Sequence, residues 1–315
     1  MGTWRGSMLA ALVATLERPA WWAMALAAFL VRGGILVVLL PLVILPTPAA
    51  LTNLLAPTIE AFALGGLSPE RLLLVLGVAA FLFVVIGGAG LAGAWLDLAQ
   101  LREAAEDEEL ALGWTPAHRS AREALALRLT AHLPTLVVLG YAAVRLVAAA
   151  YDELVSPGDV STSIFLRVAQ RAPDALLLLV ATWLVGETVG SLAARRAAAG
   201  VATGESLWRS IRQLVTGRGL ATLGLTTTVV AGVLLPFLVA AGQAWAHLRS
   251  SLIDDPSMLS VGSALLVLVA SWILGLAVLG AALAWRSAAW TAEVAPVTPR
   301  RQEVPAATAA EVTSG

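Results

Sequence analysis

Cysteine is absent from this chain of 315 residues, and every one of its 20 basic residues is arginine. Without a thiol there is no disulfide, no thiolate metal ligand and no cysteine nucleophile. Histidine is scarce: His118, His132 and His247 are scattered, with no pair at metal-ligand spacing. Charge is scarce as well. Asp, Glu, Lys and Arg make up 13% of the residues, about half the share of a soluble domain, and the net charge is −1. No positive field reaches out for nucleic acid, so none is expected as a partner. The sequence holds no GxSxG elbow, no HExxH, no P-loop and no EF-hand loop. It therefore reads as non-enzymatic, and no catalytic residue, cofactor or metal is expected. Arginine without lysine, with abundant Ala, Gly, Leu and Val, points to a GC-rich bacterial genome.

What is present is apolar length. Hydrophobic residues make up 59% of the chain, and the mean hydropathy is +0.84. A helix rises about 1.5 Å per residue, so about 20 apolar residues cross a core about 30 Å thick. Six runs meet that length: 20–45, 72–98, 125–151, 175–194, 220–244 and 258–285. The expected fold is all-α, a polytopic membrane bundle of six transmembrane helices in three hairpins with interfacial amphipathic helices. Residues 1–19 read as an N-terminal interfacial helix, 20–286 as the transmembrane domain, and 287–315 as a disordered cytoplasmic tail rich in Ala, Pro, Thr and Val. The hairpin reading has internal support. VATWLVG at 180–186 echoes VASWILG at 269–275, and the odd spans hold Pro41, Pro134 and Pro236.

Arginine bias sets the orientation. With both ends inside, the inner segments carry fourteen arginines and the outer segments four: Arg71, Arg167, Arg171 and Arg249. The chain is thus expected in the cell membrane with both termini cytoplasmic.

Glu187 lies inside the fourth run, eight residues from Arg195 and roughly 12 Å into the layer. An ionised group at a helix centre costs about 2.5–3.5 kcal/mol by insertion scales. Pairing offsets part of that cost. Arg32, where Arg32-Gly33-Gly34 interrupts the first run, lies roughly 16 Å deep, and His132 roughly 10 Å. The spacing predicts a buried polar cluster of Glu187, Arg32 and His132. Two readings of it stand: a hydrogen-bonding group at a tight helix contact, or a proton or substrate site. Gly186 and Gly190 flank Glu187 at the GxxxG spacing that lets helix backbones approach closely. Gly88, Gly90 and Gly93 match GxGxxG, but apolar residues of membrane length surround them instead of a βαβ unit. Gly90 and Gly93 are read as helix packing. Asp97 is assigned no role beyond marking the end of its span, and Arg145 is read as snorkelling to the outer surface. The run of acids through Glu106, Asp107, Glu108 and Glu109 reads as a solvated helical extension.

Between the fourth and fifth runs, Leu207, Trp208, Ile211, Leu214 and Val215 fall on one helical face, opposite Arg209 and Arg212. This predicts an interfacial helix with Trp208 turned inward, toward the membrane. The stretch GESLWRSIRQLVTGRGLATLGL is similar to the amphipathic lead-in of uncharacterised bacterial six-helix integral membrane proteins. These are allied to the membrane domain of glycerophosphodiester phosphodiesterases. The likeness covers one hairpin and carries no catalytic residue. It implies a multi-pass membrane component of an envelope or transport assembly. Six spans with such a helix before the fifth also resemble permease subunits of ATP-driven transporters. There, Arg122-Glu123-Ala124-Leu125 and Leu133-Pro134 resemble the EAA-type loop, although the intervening glycine is missing. The partners these readings imply are the lipid bilayer, other membrane subunits and a cytosolic ATPase.

Overall fold

The computed structural model describes residues 4–42, 68–105, 121–155, 164–254 and 256–294. The acidic run at 106–109, most of the loop at 46–70 and the tail from 295 lie outside the described residues. Among the described residues all regular structure is helical, and the chain is an all-α membrane helix bundle. Six segments are long and apolar enough to cross a membrane: Pro19–Leu42, Leu72–Ala104, Leu133–Glu153, Pro173–Ala198, Gly217–Asp254 and Met258–Val294.

The elements in order are α1 (Trp4–Glu17), α2 (Pro19–Phe29), a π turn (Leu30–Gly34), α3 (Ile35–Leu39), a 3-10 turn (Leu40–Leu42), α4 (Pro69–Ala105), α5 (Ala121–Ala131), α6 (Leu133–Val155), α7 (Ile164–Arg171), α8 (Pro173–Ala198), α9 (Thr203–Leu214), α10 (Gly217–Asp254) and α11 (Met258–Val294). α10 has 38 residues, and α4 and α11 have 37 each. At about 1.5 Å per residue each is about 55 Å long and extends well beyond the hydrocarbon layer. α11 runs through Ser287 to Val294, so the first residues assigned to the tail are helical. Many large apolar side chains point outward, among them Leu73, Phe83, Val137 and Leu266. In a bilayer such surfaces meet lipid and need no protein cover.

Two helices organise the packing. α11 lies against α10, α2 and α1, and α8 lies against α5, α6 and α9. Phe237 of α10 fits over Gly275 of α11, with the Phe237 and Trp272 rings edge to face at 5.8 Å. Met8, Ala11 and Ala14 of α1 pack on Trp285, Ala288 and Ala289 of α11. α1 therefore sits on the C-terminal part of α11.

Local chemistry explains the breaks. Gly33 has φ 102, a left-handed conformation that favours glycine, and it ends α2 in the π turn. Gly200 has φ 90 and closes α8, with its N–H and that of Val201 donating to Ala197 and Arg196. That turn folds α9 back onto α8. The third span starts at Leu133, not at 125, because residues 121–131 form the separate helix α5. Pro134 is the reason: it lacks an N–H and disfavours helical backbone just before it. The chain turns at His132, whose ring Nδ1 lies 2.8 Å from the Arg128 carbonyl oxygen. Arg145 does not reach out alone. It lies 3.4 Å from Asp174 at the start of α8, and Tyr141 donates to the same carboxylate at 2.9 Å.

A charged cavity among the helices

The bend at Gly33 turns the Arg32 side chain inward. Its Nε donates to the Ala28 carbonyl at 3.0 Å, and its Nη1 lies 2.6 Å from Asp97 of α4. Gly93, one turn before Asp97, makes room for it: a Cβ there would lie 2.7 Å from Arg32 Cγ. Arg128 of α5 bridges the two acids. Its Nη2 donates to the Asp97 carboxylate at 2.5 Å and its Nη1 to Glu187 at 2.7 Å. Arg32 Nη1 is 3.6 Å from Glu187, and His132 Nε2 is 4.0 Å from it.

The structure therefore brings Glu187, Arg32 and His132 together, with Arg128 and Asp97 at the centre. Charge-assisted bonds of this kind are the strong class, and pairing offsets the burial of each member. The glycines set the distances. A Cβ on Gly186 would lie 3.0 Å from the Ala131 carbonyl oxygen, and one on Gly190 would lie 3.0 Å from Arg128 Cα. One on Gly90 would meet Leu125 at 2.9 Å. Thus Gly186 and Gly190 let α5 lie on α8, and Gly90 and Gly93 let α5 and the bend after α2 lie on α4.

These side chains line a cavity of about 460 Å³ between α2, α4, α5, α8, α10 and α11. Its wall carries four guanidiniums, Arg32, Arg128, Arg195 and Arg286, against two carboxylates, Asp97 and Glu187. The described lining thus has a formal excess of two positive charges. Arg195 is only 5% exposed and is held by neutral oxygens. Its Nε donates to Thr291 at 3.0 Å, its Nη2 to the Ser287 hydroxyl at 2.7 Å, and its Nη1 to Ser191. Arg286 has no hydrogen bond or ion pair among the described residues, although the charges of Glu187, Arg32 and Arg128 act on it. The Gln100 side chain is 2% exposed, lines the cavity, and leaves both amide atoms without a partner in the described chain. Thr227 Oγ1 and the Trp290 indole N–H, on two more lining residues, are also unpartnered.

Asp97, Arg128 and Arg195 escaped the sequence reading. Asp97 stands four residues after Gly93, and Arg128 four before His132, so each shares a helix face with a residue already singled out. Arg195 reads as a charged end marker, yet it turns into the bundle.

Of the five apolar residues predicted on the interfacial helix, only Leu214 is buried. Leu207 is half-buried, and Trp208, Ile211 and Val215 point away from the bundle, Trp208 with 65% exposure. α9 instead packs through Ser206, Ser210 and Leu214. Arg196 of α8 donates to Ser210 at 2.7 Å and to Gln213, so the polar edge of α9 is the one fastened to the protein.

A separate polar knot surrounds Glu293 near the end of α11. Arg218 lies 2.9 Å from it, Thr222 donates to it at 3.1 Å, and Trp4 of α1 donates to Thr222 at 2.9 Å. No family model matches the chain, and no curated protein or solved structure matches it. Fold and cavity together define a six-span helical membrane protein with a charged internal pocket.

Proposed function

We propose that the protein is a non-catalytic, multi-pass component of a bacterial cell membrane that holds an anionic ligand in its internal cavity, as a membrane subunit of an envelope or transport assembly. The charge balance of the cavity carries this reading. Four guanidiniums face two carboxylates, and buried donors on Gln100 and Trp290 stand without partners. Buried polar groups without partners are costly, and an anion accepting from them offsets that cost. The same arrangement argues against a metal or nucleophile site, since the acids are already engaged by arginines. Arginine bias supports both termini in the cytoplasm, which puts the cavity in the half of the membrane next to it. The likeness of the α9 stretch to six-helix bacterial membrane proteins supports the same class.

Titration of the purified full-length protein with inorganic phosphate and sulfate, read by thermal unfolding in micelles, tests it. A rise in Tm that saturates with anion and disappears in Arg286→Gln supports the reading. A Tm that responds only to ionic strength, equally in both proteins, overturns it.

The permease reading keeps one specific observation in its favour. Trp208, Ile211 and Val215 form an outward apolar edge on α9 beside the Glu205–Arg209 ion pair. A coupling helix offers such an edge to an ATPase. Co-purification of an ATPase that is lost on Trp208→Glu supports it.

A further inference from the structure

Resting on the anion reading, we propose that the ligand is an amphiphile with a phosphate head, which enters sideways between α8 and α10 and leaves its chain in that gap.

The cavity is graded along its length. On α8 the lining passes from Arg195 through Ser191 and Glu187 to Leu184 and Trp183. On α10 it passes from Thr227 to Val230 and Leu234. One end is thus cationic and rich in donors, and the other is apolar. At about 460 Å³ the space matches pockets that enclose organic ligands and is far larger than a free phosphate needs. A guanidinium fork suits a phosphate, and Arg286 has no acceptor competing for it among the described residues, while Arg195, whose nitrogens already donate to Thr291, Ser191 and Ser287, adds its charge.

The apolar end is open to the side. α8 and α10 do not pack along one another; α9 joins them at one end. Trp183 lines the cavity and is 48% exposed, and Val37 lines it and is exposed as well. Trp183 lies one turn deeper than Glu187, inside the span Pro173–Ala198. At that depth the opening faces hydrocarbon, which suits an alkyl chain lying in the gap. An amphiphile places each part where the wall matches it: its phosphate near Arg286, Arg195 and Gln100, its chain past Leu184 and Leu234.

The test compares three probes on the full-length protein in dodecyl maltoside: inorganic phosphate, glycerol phosphate and dodecyl phosphate. Binding is measured by calorimetric titration of wild type, Arg286→Gln, Arg286→Lys and Leu234→Trp. The expected result is dodecyl phosphate binding at least about tenfold tighter than the two chainless probes. Arg286→Gln should weaken it about tenfold or more, as loss of a charged hydrogen bond does. Arg286→Lys should retain most of the binding, which separates loss of charge from loss of fold. Leu234→Trp, filling the gap, should weaken dodecyl phosphate while sparing the chainless probes. Equal affinity for all three probes, lost together in Arg286→Gln, overturns the amphiphile and leaves the anion reading standing. Dodecyl phosphate bound equally by wild type and Arg286→Gln means association with the micelle-covered surface, and overturns the proposal. No binding of any probe overturns both readings.

Discussion

Arg128 lies 2.7 Å from Glu187, and the two residues come from different helices, α5 and α8. The side chains are 8% and 22% exposed. Arg128 spends its other terminal nitrogen on Asp97 of α4, so a single guanidinium ties three elements at the wall of the cavity. Glu187→Gln leaves that guanidinium half-paired. The expected loss is about 3 kcal/mol, the cost of breaking a buried pair from one side. Denaturant unfolding in micelles measures it. Because Asp97 serves the same arginine, Asp97→Asn and Glu187→Gln together should not add. If Glu187 is purely structural, the variant loses stability and keeps ligand binding. If the carboxylate itself handles a proton or substrate, activity disappears while the fold survives.

The glycines of α8 predict a contrast. Gly190→Ala puts a methyl 3.0 Å from Arg128 Cα, where backbone must give way. It should destabilise by about 1–3 kcal/mol, as overpacking does. Gly224 of α10 has open space around it. Gly224→Ala should stabilise by about 0.5–1 kcal/mol through helix propensity. Melting curves of the two variants showing the same sign would mean that α5 does not sit on α8 as described.

Reporter fusions give the topology directly. Fusions after Thr47, Leu101, Asp159, Gly200, Asp255 and Ala310 should read alternately outside and inside, ending inside. Two consecutive sites reporting the same side would defeat the six-span orientation.

The outward edge of α9 can be read with one probe, because the chain offers no native cysteine. A nitroxide on Trp208→Cys in vesicles should collide with oxygen more than with a water-soluble nickel complex. One on Arg212→Cys should show the opposite order. Reversal at position 208 would place that edge in water and favour a docked partner.

Apolar run length was enough to count the spans, and Arg32-Gly33-Gly34 showed where the first one bends. Glycine spacing around Glu187 announced a tight contact, and the structure supplies its partner, the end of α5. What stayed hidden was lateral. A bilayer accepts the same Leu and Val on every outward face, so periodicity no longer tells which side of a helix meets protein. That is why Asp97 looked like an end marker and why α9 showed its apolar face while packing through Ser206 and Ser210. Pro134 was visible, but that it would split α5 from α6 was not, since the hydropathy runs on through it.

The seating of α1 on α11 has a consequence for how the chain is made. Trp285 donates its indole N–H to the Met8 carbonyl at 3.3 Å, so α1 binds a helix that is made after every other described one. Until α11 inserts, α1 has no seat and the pocket lacks the wall that carries Arg286 and Trp290. Arg32, Arg128, Arg195 and a buried glutamine must therefore wait, half-solvated, through the synthesis of the intervening spans. A nascent chain stalled before residue 258 should be a preferred substrate for membrane quality-control proteases, and release of the stall should end that vulnerability in one step.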